Sequence, residues 1–421
     1  MAPDDASRAV SLRPPISPLR EGEVDGFFDV DAGAFGARMP KGFEDLIRSV
    51  MTLDRVAAAR DEGALVGTAA SEATSMTVPG LGRAAAAMVV AVAVLPSHRR
   101  QGRLRELMRY QLDDIRGRGE IAAALYASEG GIYGRFGYGQ ATFGSSYTVD
   151  KRVGRLAVPA GELAAGSVRL VPREEAAVAL PAVYAEYAPT RAGELDRSEI
   201  DYTSALGEPG GEELARRFYA VYEEGGRLDG YVAYEVVSIN PPEHWPRRLL
   251  VHELCALSSD AYVALWDFLL GVDLTVELVA TGRPVDEPIR WLLAEPRQLQ
   301  CTASRDRTWV RLVDVARCLA LRRYPGQGDL VIGLHDHFCP WNTGRYRVVV
   351  TEEWGTAEVS RTEGEPDLEL DASRLASIYL GGVSAQSLAD VGQIRQVSAG
   401  AVPLAARMFA NDRPPYCLTP F

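Results

Sequence analysis

Apolar and polar positions along the 421-residue chain change period several times, and each change marks an element. Residues 10–13 read as a strand and residues 21–35 as a helical stretch. Residues 55–60 and 64–70 alternate as a hairpin with Asp61-Glu62-Gly63 as its turn. Residues 88–94 form the middle of the longest apolar run, 84–95, which ends at Pro96 and is too short to span a bilayer. It reads as a buried strand. Leu104, Leu107, Met108, Leu112 and Ile115 then recur at helical spacing over residues 102–116, and residues 121–126 return as a strand, so the pattern is β-α-β. Ser128 is placed to cap a helix starting near Glu129, and residues 139–149 follow as a strand.

Further on, strands at residues 230–237 and 249–256 and a helix at 260–270 repeat that plan within a second unit of residues 151–300. Leu254-Cys255-Ala256-Leu257-Ser258-Ser259-Asp260 supplies neither glycine nor arginine where its helix begins, so this unit reads as a copy that kept its packing and lost ligand binding. From residue 301 onward, 308–313 and 346–352 alternate as strands, and 375–380 and 385–388 look helical. The length requires more than one core, and the reading is a first domain at 1–150, a second at 151–300 and a third at 301–421.

Composition narrows the function classes. A net charge of −12 argues against a nucleic-acid footprint and is compatible with cationic ligands. The acidic first residues and the lack of an apolar segment after them argue against export. Five scattered cysteines with no Cys-x-x-Cys pair fit a reducing cytoplasm and not a disulfide or zinc framework. His335-x-His337 is the one metal-like doublet, and alternation on a strand accounts for it equally well. No metal and no membrane partner are expected.

The chemistry concentrates at Arg99-Arg100-Gln101-Gly102-Arg103-Leu104-Arg105, a basic turn between the apolar strand and the amphipathic helix. Unpaired N–H groups of a helix's first turn point outward, the helix dipole adds partial positive charge, and Gly102 admits a close ligand, so the turn suits phosphate. Arg99-x-x-Gly102-x-Leu104 after a Val-x-Val strand resembles motif A of the GCN5-related N-acetyltransferases, with Leu104 where glycine or alanine is usual. The tract Leu125-Tyr126-Ala127-Ser128-Glu129-Gly130-Gly131-Ile132-Tyr133-Gly134-Arg135-Phe136-Gly137-Tyr138-Gly139 is more specific. With the tail from Asn411 to Phe421 and the stretch containing Cys339-Pro340-Trp341-Asn342, it resembles the Eis family of acetyltransferases over nearly the whole length.

That resemblance implies an α+β fold of tandem GNAT-like domains, mixed sheets flanked by helices, with a sterol-carrier-like α+β domain at the end. It implies an acetyl-coenzyme A-dependent enzyme acting on amines of aminoglycosides or similar polyamines, assembled as a hexamer. The main chain of Val92, Ala93 and Val94 would pair with the pantetheine arm, Arg99 to Arg105 would hold the diphosphate, and Ser128 with Glu129 would close the slot. Tyr133 matches the tyrosine that protonates the departing thiolate, and the carboxylate of Phe421 matches the base. Pro420 stands where some relatives carry an acid, and Phe27-Phe28-Asp29-Val30-Asp31 does not reproduce the substrate-pocket residues; Asp29 and Asp31 read as surface carboxylates at a helix start. A protein-lysine or small-polyamine acetyltransferase is the nearest alternative, and a non-catalytic lipid-binding or regulatory module the alternative of another class.

Overall fold

The computed structural model describes residues 14–207, 217–243 and 245–421. The strand expected at 10–13 lies outside the described residues. The first strands in chain order are β1 (Ser17–Pro18), β2 (Val56–Asp61), β3 (Ala64–Thr77), β4 (Arg83–Val94), β5 (Ala122–Tyr126) and β6 (Gly139–Gln140). Helices α1 (Val24–Phe35), α2 (Lys41–Val50) and α3 (Arg103–Gly117) interleave with them. Asp61 pairs with Ala64, so the β2–β3 turn is Glu62-Gly63 alone, with φ of 47° and 85°. Two positive φ values give a two-residue turn whose twist matches that of the strands.

β7 (Phe143–Asp150), β8 (Ser167–Val171), β9 (Arg217–Glu224), β10 (Arg227–Ser238), β11 (Arg247–Ala256), β12 (Glu277–Pro284) and β13 (Gln300–Asp306) form a second sheet, ordered β13-β7-β12-β11-β10-β9-β8. β14 (Thr308–Leu312) returns to the first sheet, ordered β1-β2-β3-β4-β5-β14-β6. Two expectations are corrected here. Residues 139–149 are not one strand: β6 stays in the first sheet and β7 crosses to the second. Residues 308–313 alternate as expected, yet they pair with β5 and β6 and not within the last unit. Alternation specifies a strand; the partner comes from tertiary packing.

β10, β11 and β12 repeat the arrangement of β3, β4 and β5, an irregular antiparallel pair followed by a parallel neighbour. The next helix, Ser259–Gly271, is capped by Ser258, whose Oγ accepts from the Ala261 N–H at 3.2 Å. One of the donors an anion would use is therefore already taken.

Beyond β14, strands Glu358–Arg361, Gly344–Val350, Gly328–His335, Leu368–Asp371 and Arg395–Gln396 lie side by side in that order, with helices including Val315–Leu321 and Ala372–Tyr379. Ala84, Ala86 and Met88 of β4 share one core cluster with Leu375, Ala376 and Tyr379 of this unit. Ala87 and Val89, on the opposite face, join Met108, Leu112 and Ile115 of α3. Burial on both faces is why residues 84–95 read as an unbroken apolar run. Arg311 of β14 and Asp336, 0% and 1% exposed, pair at 2.5 Å, and Asn342 Nδ2 donates to the Leu312 and Val313 carbonyls at 3.3 and 3.2 Å. The Cys339-Pro340-Trp341-Asn342 tract thus fastens the last unit to the first sheet. The architecture is α+β, two mixed sheets flanked by helices and a third sheet-and-helix unit.

Candidate active site

A break in pairing opens the site. β4 pairs with β5 only at Ala86–Met88, against Ala122–Ala124. Further along, Ala70 faces Val90 while Thr68 faces Ala93, so β4 bulges at Ala91 and Val92, and Ala91 takes a φ of 48°. Thr68 Oγ1 donates to the Ala91 carbonyl at 3.1 Å and holds the bulge. From Val89 onward the β5-facing edge of β4 has no strand on it. The Leu95 N–H bonds to the Val66 carbonyl at 3.0 Å, so ladder alternation turns the Ala93 main chain toward β3 and leaves that of Val92 and Val94 on the open edge. Ala93 is therefore not a main-chain partner for a ligand there, contrary to the sequence expectation.

The open edge leads to the start of α3. Arg100 and Gly102 have φ of 60° and 88°, a Cβ on Gly102 would meet open space, and the helix has no side-chain cap. The first-turn N–H groups of Arg103, Leu104 and Arg105 face outward. Arg99 is fixed at the rim: its Nη2 donates to the Ala34 carbonyl at 3.0 Å and its Nε to the Val94 carbonyl at 3.3 Å. Arg100 is exposed, and Gln101 Nε2 bonds back to the Ser97 carbonyl at 3.3 Å. The Arg105 guanidinium lies 5.5 Å from the centre of the Phe338 ring. Leu104 is half-buried beside the α3 core. Arg103 is the clear correction. Its side chain is 1% exposed and binds the Arg60 carbonyl at 3.0 Å and Asp61 at 3.2 Å, so it fastens α3 to the β2–β3 hairpin and offers a ligand only its N–H.

A cavity of about 320 Å³ sits where β4 and β5 part. Its walls include Phe35, Val89, Val92 and Leu125, with Tyr126, Ser128, Tyr133 and Phe421 as the polar-bearing members. No helix starts at Glu129; residues 128–132 turn and bend, and a single 3-10 turn covers Tyr133–Phe136, because Gly130 and Gly131 favour no helix. Ser128 instead lines the cavity together with Tyr133. Burial raises the Tyr133 phenol above its usual pKa, the Ser128 hydroxyl opposes this, and the exposed Glu129 adds to the rise. The Tyr133 ring is 5% exposed and meets Tyr138 edge-to-face at 6.0 Å.

Phe421 reaches this cavity although it is last in the chain. Its ring meets Tyr126 edge-to-face at 4.9 Å. The preceding residues are threaded through the second unit: the Leu418 N–H donates to both Glu194 carboxylate oxygens at 3.0 Å, Arg197 Nε donates to Thr419 at 2.7 Å, and the Tyr416 hydroxyl donates to the Gly282 carbonyl at 2.7 Å. Asp29 is a surface carboxylate, paired with Arg38 at 2.6 Å, whereas Asp31 is buried and its pKa raised by that burial, which corrects its reading as a surface group. His335 and His337 are exposed around buried Asp336.

Sequence reasoning missed Phe35 and Val89–Ala91 as cavity walls, and Arg307, which lies over the Tyr126 ring at 5.2 Å. The end of the helical pattern at Phe35 was the only available signal for the first.

The acetyltransferase (GNAT) domain family matches residues 15–141, and a second acetyltransferase (GNAT) domain family matches residues 193–312. The sterol carrier protein domain family matches residues 315–418. The chain is 39% identical to an uncharacterized N-acetyltransferase of Streptomyces coelicolor, over 94% of this chain and 97% of that one. It is 31% identical to N-acetyltransferase Eis of Mycobacterium tuberculosis over 94% of this chain and 96% of that one. Among solved structures it superposes on Eis1 from Mycobacterium abscessus with a TM-score of 0.83 and 31% identity, covering 97% of this chain and 100% of that one. With an opening between β4 and β5 and relatives alike from end to end, this chain belongs to the Eis family of GCN5-related N-acetyltransferases.

Proposed function

We propose that the chain transfers an acetyl group from acetyl-coenzyme A to primary amines of small multi-amine molecules, aminoglycosides among them, at the cavity beside Tyr133. The observation that carries this reading is the bare edge of β4, with the uncapped start of α3 beyond one end and a cavity lined by a buried phenol and Phe421 at the other. Acetyl-coenzyme A, when bound, supplies the thioester. The α3 N–H groups with Arg99, Arg100 and Arg105 hold the diphosphate, and the Val92 and Val94 main chain aligns the arm.

Tyr133 holds the proton that the departing thiolate needs, and Ser128 lines the cavity with it. Phe421 supplies a carboxylate for the incoming amine. An alkylamine near pKa ~10.4 and an α-carboxylate near ~3.5 are badly matched in water, but apolar walls lower the first and raise the second, so Val89, Leu125 and Phe35 bring them together. Assembly as a hexamer and residence in the cytoplasm enter this proposal from the family resemblance alone. Among the described residues no helix is long and apolar enough to cross a membrane.

Thiol release from acetyl-coenzyme A, followed against aminoglycosides, short polyamines and lysine peptides, tests the reading. Turnover with at least one class is expected, and a chain extended by several residues past Phe421 should lose most of it. No coenzyme A binding by calorimetry, or full activity of the extended chain, would refute the transfer and the base respectively.

A further inference from the structure

A second cavity of about 380 Å³ lies against the first. Tyr126 lines both, and the consecutive residues Pro420 and Phe421 line one each. Their characters differ sharply. The first is mostly apolar, whereas the second is lined by Arg217, Arg283, Arg305 and Arg307 against two carboxylates, Glu253 and Asp306.

One carboxylate is paired with an arginine, and the other keeps its charge while accepting from a neutral donor. Glu253 is held by Arg197 at 2.9 and 2.8 Å and by the Tyr231 hydroxyl, and Asp306 accepts from Trp309 Nε1 at 2.6 Å. Arg283 is neutralised by Glu287 at 2.7 Å. Arg217 spends its Nη1 on the Ser204 and Ala205 carbonyls, both at 3.0 Å. Arg305 and Arg307 have no ion pair among the described residues.

Arg307 is set in place with care. Its guanidinium lies between the Tyr126 and Tyr416 rings, at 5.2 and 5.6 Å, and its Nη2 donates to the Cys417 carbonyl at 3.3 Å. Side chains at Gly144 and Gly282 would collide with it. Its Nε is nonetheless buried with no partner, and so is the Tyr126 hydroxyl on the wall between the cavities. A half-buried guanidinium with one buried donor unmet, no ion pair and only the longer-range charge of Glu194 to balance it is completed by an anion. Its flat fork suits a carboxylate or a phosphate oxygen pair.

We propose that the preferred acceptor amine carries an anionic group, carboxylate or phosphate, which Arg305 and Arg307 hold in this second cavity while the amine lies beside Phe421. This rests on the acetyltransferase reading and ranks its acceptors: one with an anion engages both cavities, whereas an all-ammonium molecule such as an aminoglycoside engages the first alone and binds more weakly.

Matched pairs that differ in the anion test it: lysine against cadaverine, a lysine tripeptide with a free carboxylate against its amide, and phosphoethanolamine against ethanolamine. Each is titrated calorimetrically into the full chain, with and without coenzyme A. At least one anionic member should bind ten times more tightly than its partner, and the third pair separates phosphate from carboxylate. Arg305→Gln, at an exposed site, should weaken that member at least fivefold without changing its neutral partner. Arg307→Lys keeps the charge, loses the fork and should also weaken it. Binding within twofold across all pairs, or a preference unmoved by both variants, overturns the proposal. Loss of coenzyme A binding would remove the acetyltransferase reading instead, and thiol release from cadaverine equal to that from lysine would leave that reading standing while sinking this one.

Discussion

Replacing Tyr133 by phenylalanine removes one oxygen and leaves the ring, and the structure shows why that variant is more informative than alanine. The ring is 5% exposed, belongs to the core cluster with Met108 and Leu125, and meets Tyr138 at 6.0 Å. Cutting an aromatic side chain to alanine in such a place costs about 3–5 kcal/mol, a large part of the ~5–15 kcal/mol that holds a domain together. Lost activity in that variant would report unfolding as readily as lost chemistry.

Phenylalanine keeps the packing. The hydroxyl lost has the exposed Ser128 near it and makes no hydrogen bond to a buried group, so stability should change by less than about 1 kcal/mol. A positioned general acid contributes roughly 10²–10⁴-fold. The lower part of that range applies here: burial holds the phenol above its ordinary pKa, so it gives up its proton reluctantly. Tyr133→Phe should therefore lower kcat about 100- to 1000-fold, with KM for acetyl-coenzyme A within about twofold and Tm nearly unchanged. Thiol release under saturating acetyl-coenzyme A measures the first two, and a thermal melt the third. A variant within threefold of the parent in kcat would show that the thiolate finds its proton elsewhere.

Other tests reach other parts of the molecule. Arg100→Gln should raise KM for acetyl-coenzyme A about tenfold with an unchanged melt, since a charged hydrogen bond contributes about 1.5–3 kcal/mol; Arg103→Gln should do the reverse, lowering Tm because it unfastens α3 from Asp61. Gly102→Ala should cost about 1–2 kcal/mol of stability at a φ of 88°, readable as a shifted urea midpoint, and should weaken coenzyme A binding by crowding the same turn. Burial raises the Glu194 carboxyl to about 7 from 4.5, so the folded chain binds more protons than the unfolded one between those values. Its stability contribution is full below pH 4.5 and is lost as pH rises through 7, by roughly 3 kcal/mol, and Glu194→Gln, which keeps an acceptor for the Leu418 N–H, should flatten that fall in urea titrations.

What could be read in advance followed from local rules. The α3 helix, the basic turn before it and the apolar strand feeding it are all given by periodicity and glycine placement. What could not be read was set by contacts distant in the chain. Arg103 stands in the same basic run as Arg100 and differs only because the β2–β3 hairpin arrives beneath it with the Arg60 carbonyl and Asp61. An alanine with φ of 48° at position 91 carries no sequence signal, yet it makes the bulge that bares the edge of β4. Thr308–Leu312 has an ordinary alternating pattern that says nothing of its insertion between β5 and β6.

The second GNAT-like unit has a physical purpose even with its own helix capped by Ser258. Phe421 contributes to the first cavity only if something fixes its approach, because a terminal segment otherwise frays. The first unit supplies apolar packing for this, including the Tyr126 ring, an edge-to-face pair worth about 0.5–1.5 kcal/mol. The firm attachments, Glu194 to the Leu418 N–H, Arg197 to Thr419 and the Gly282 carbonyl to Tyr416, all come from between residues 190 and 283. Glu253 clamps Arg197 in turn, so a charge buried in β11 positions the tail that ends at the cavity of the first unit. Substitutions at Glu194, Arg197 or Glu253 therefore act on turnover by loosening Phe421, with cofactor affinity left to the first unit. That separation of effects distinguishes a unit that aims the tail from one that merely fills space.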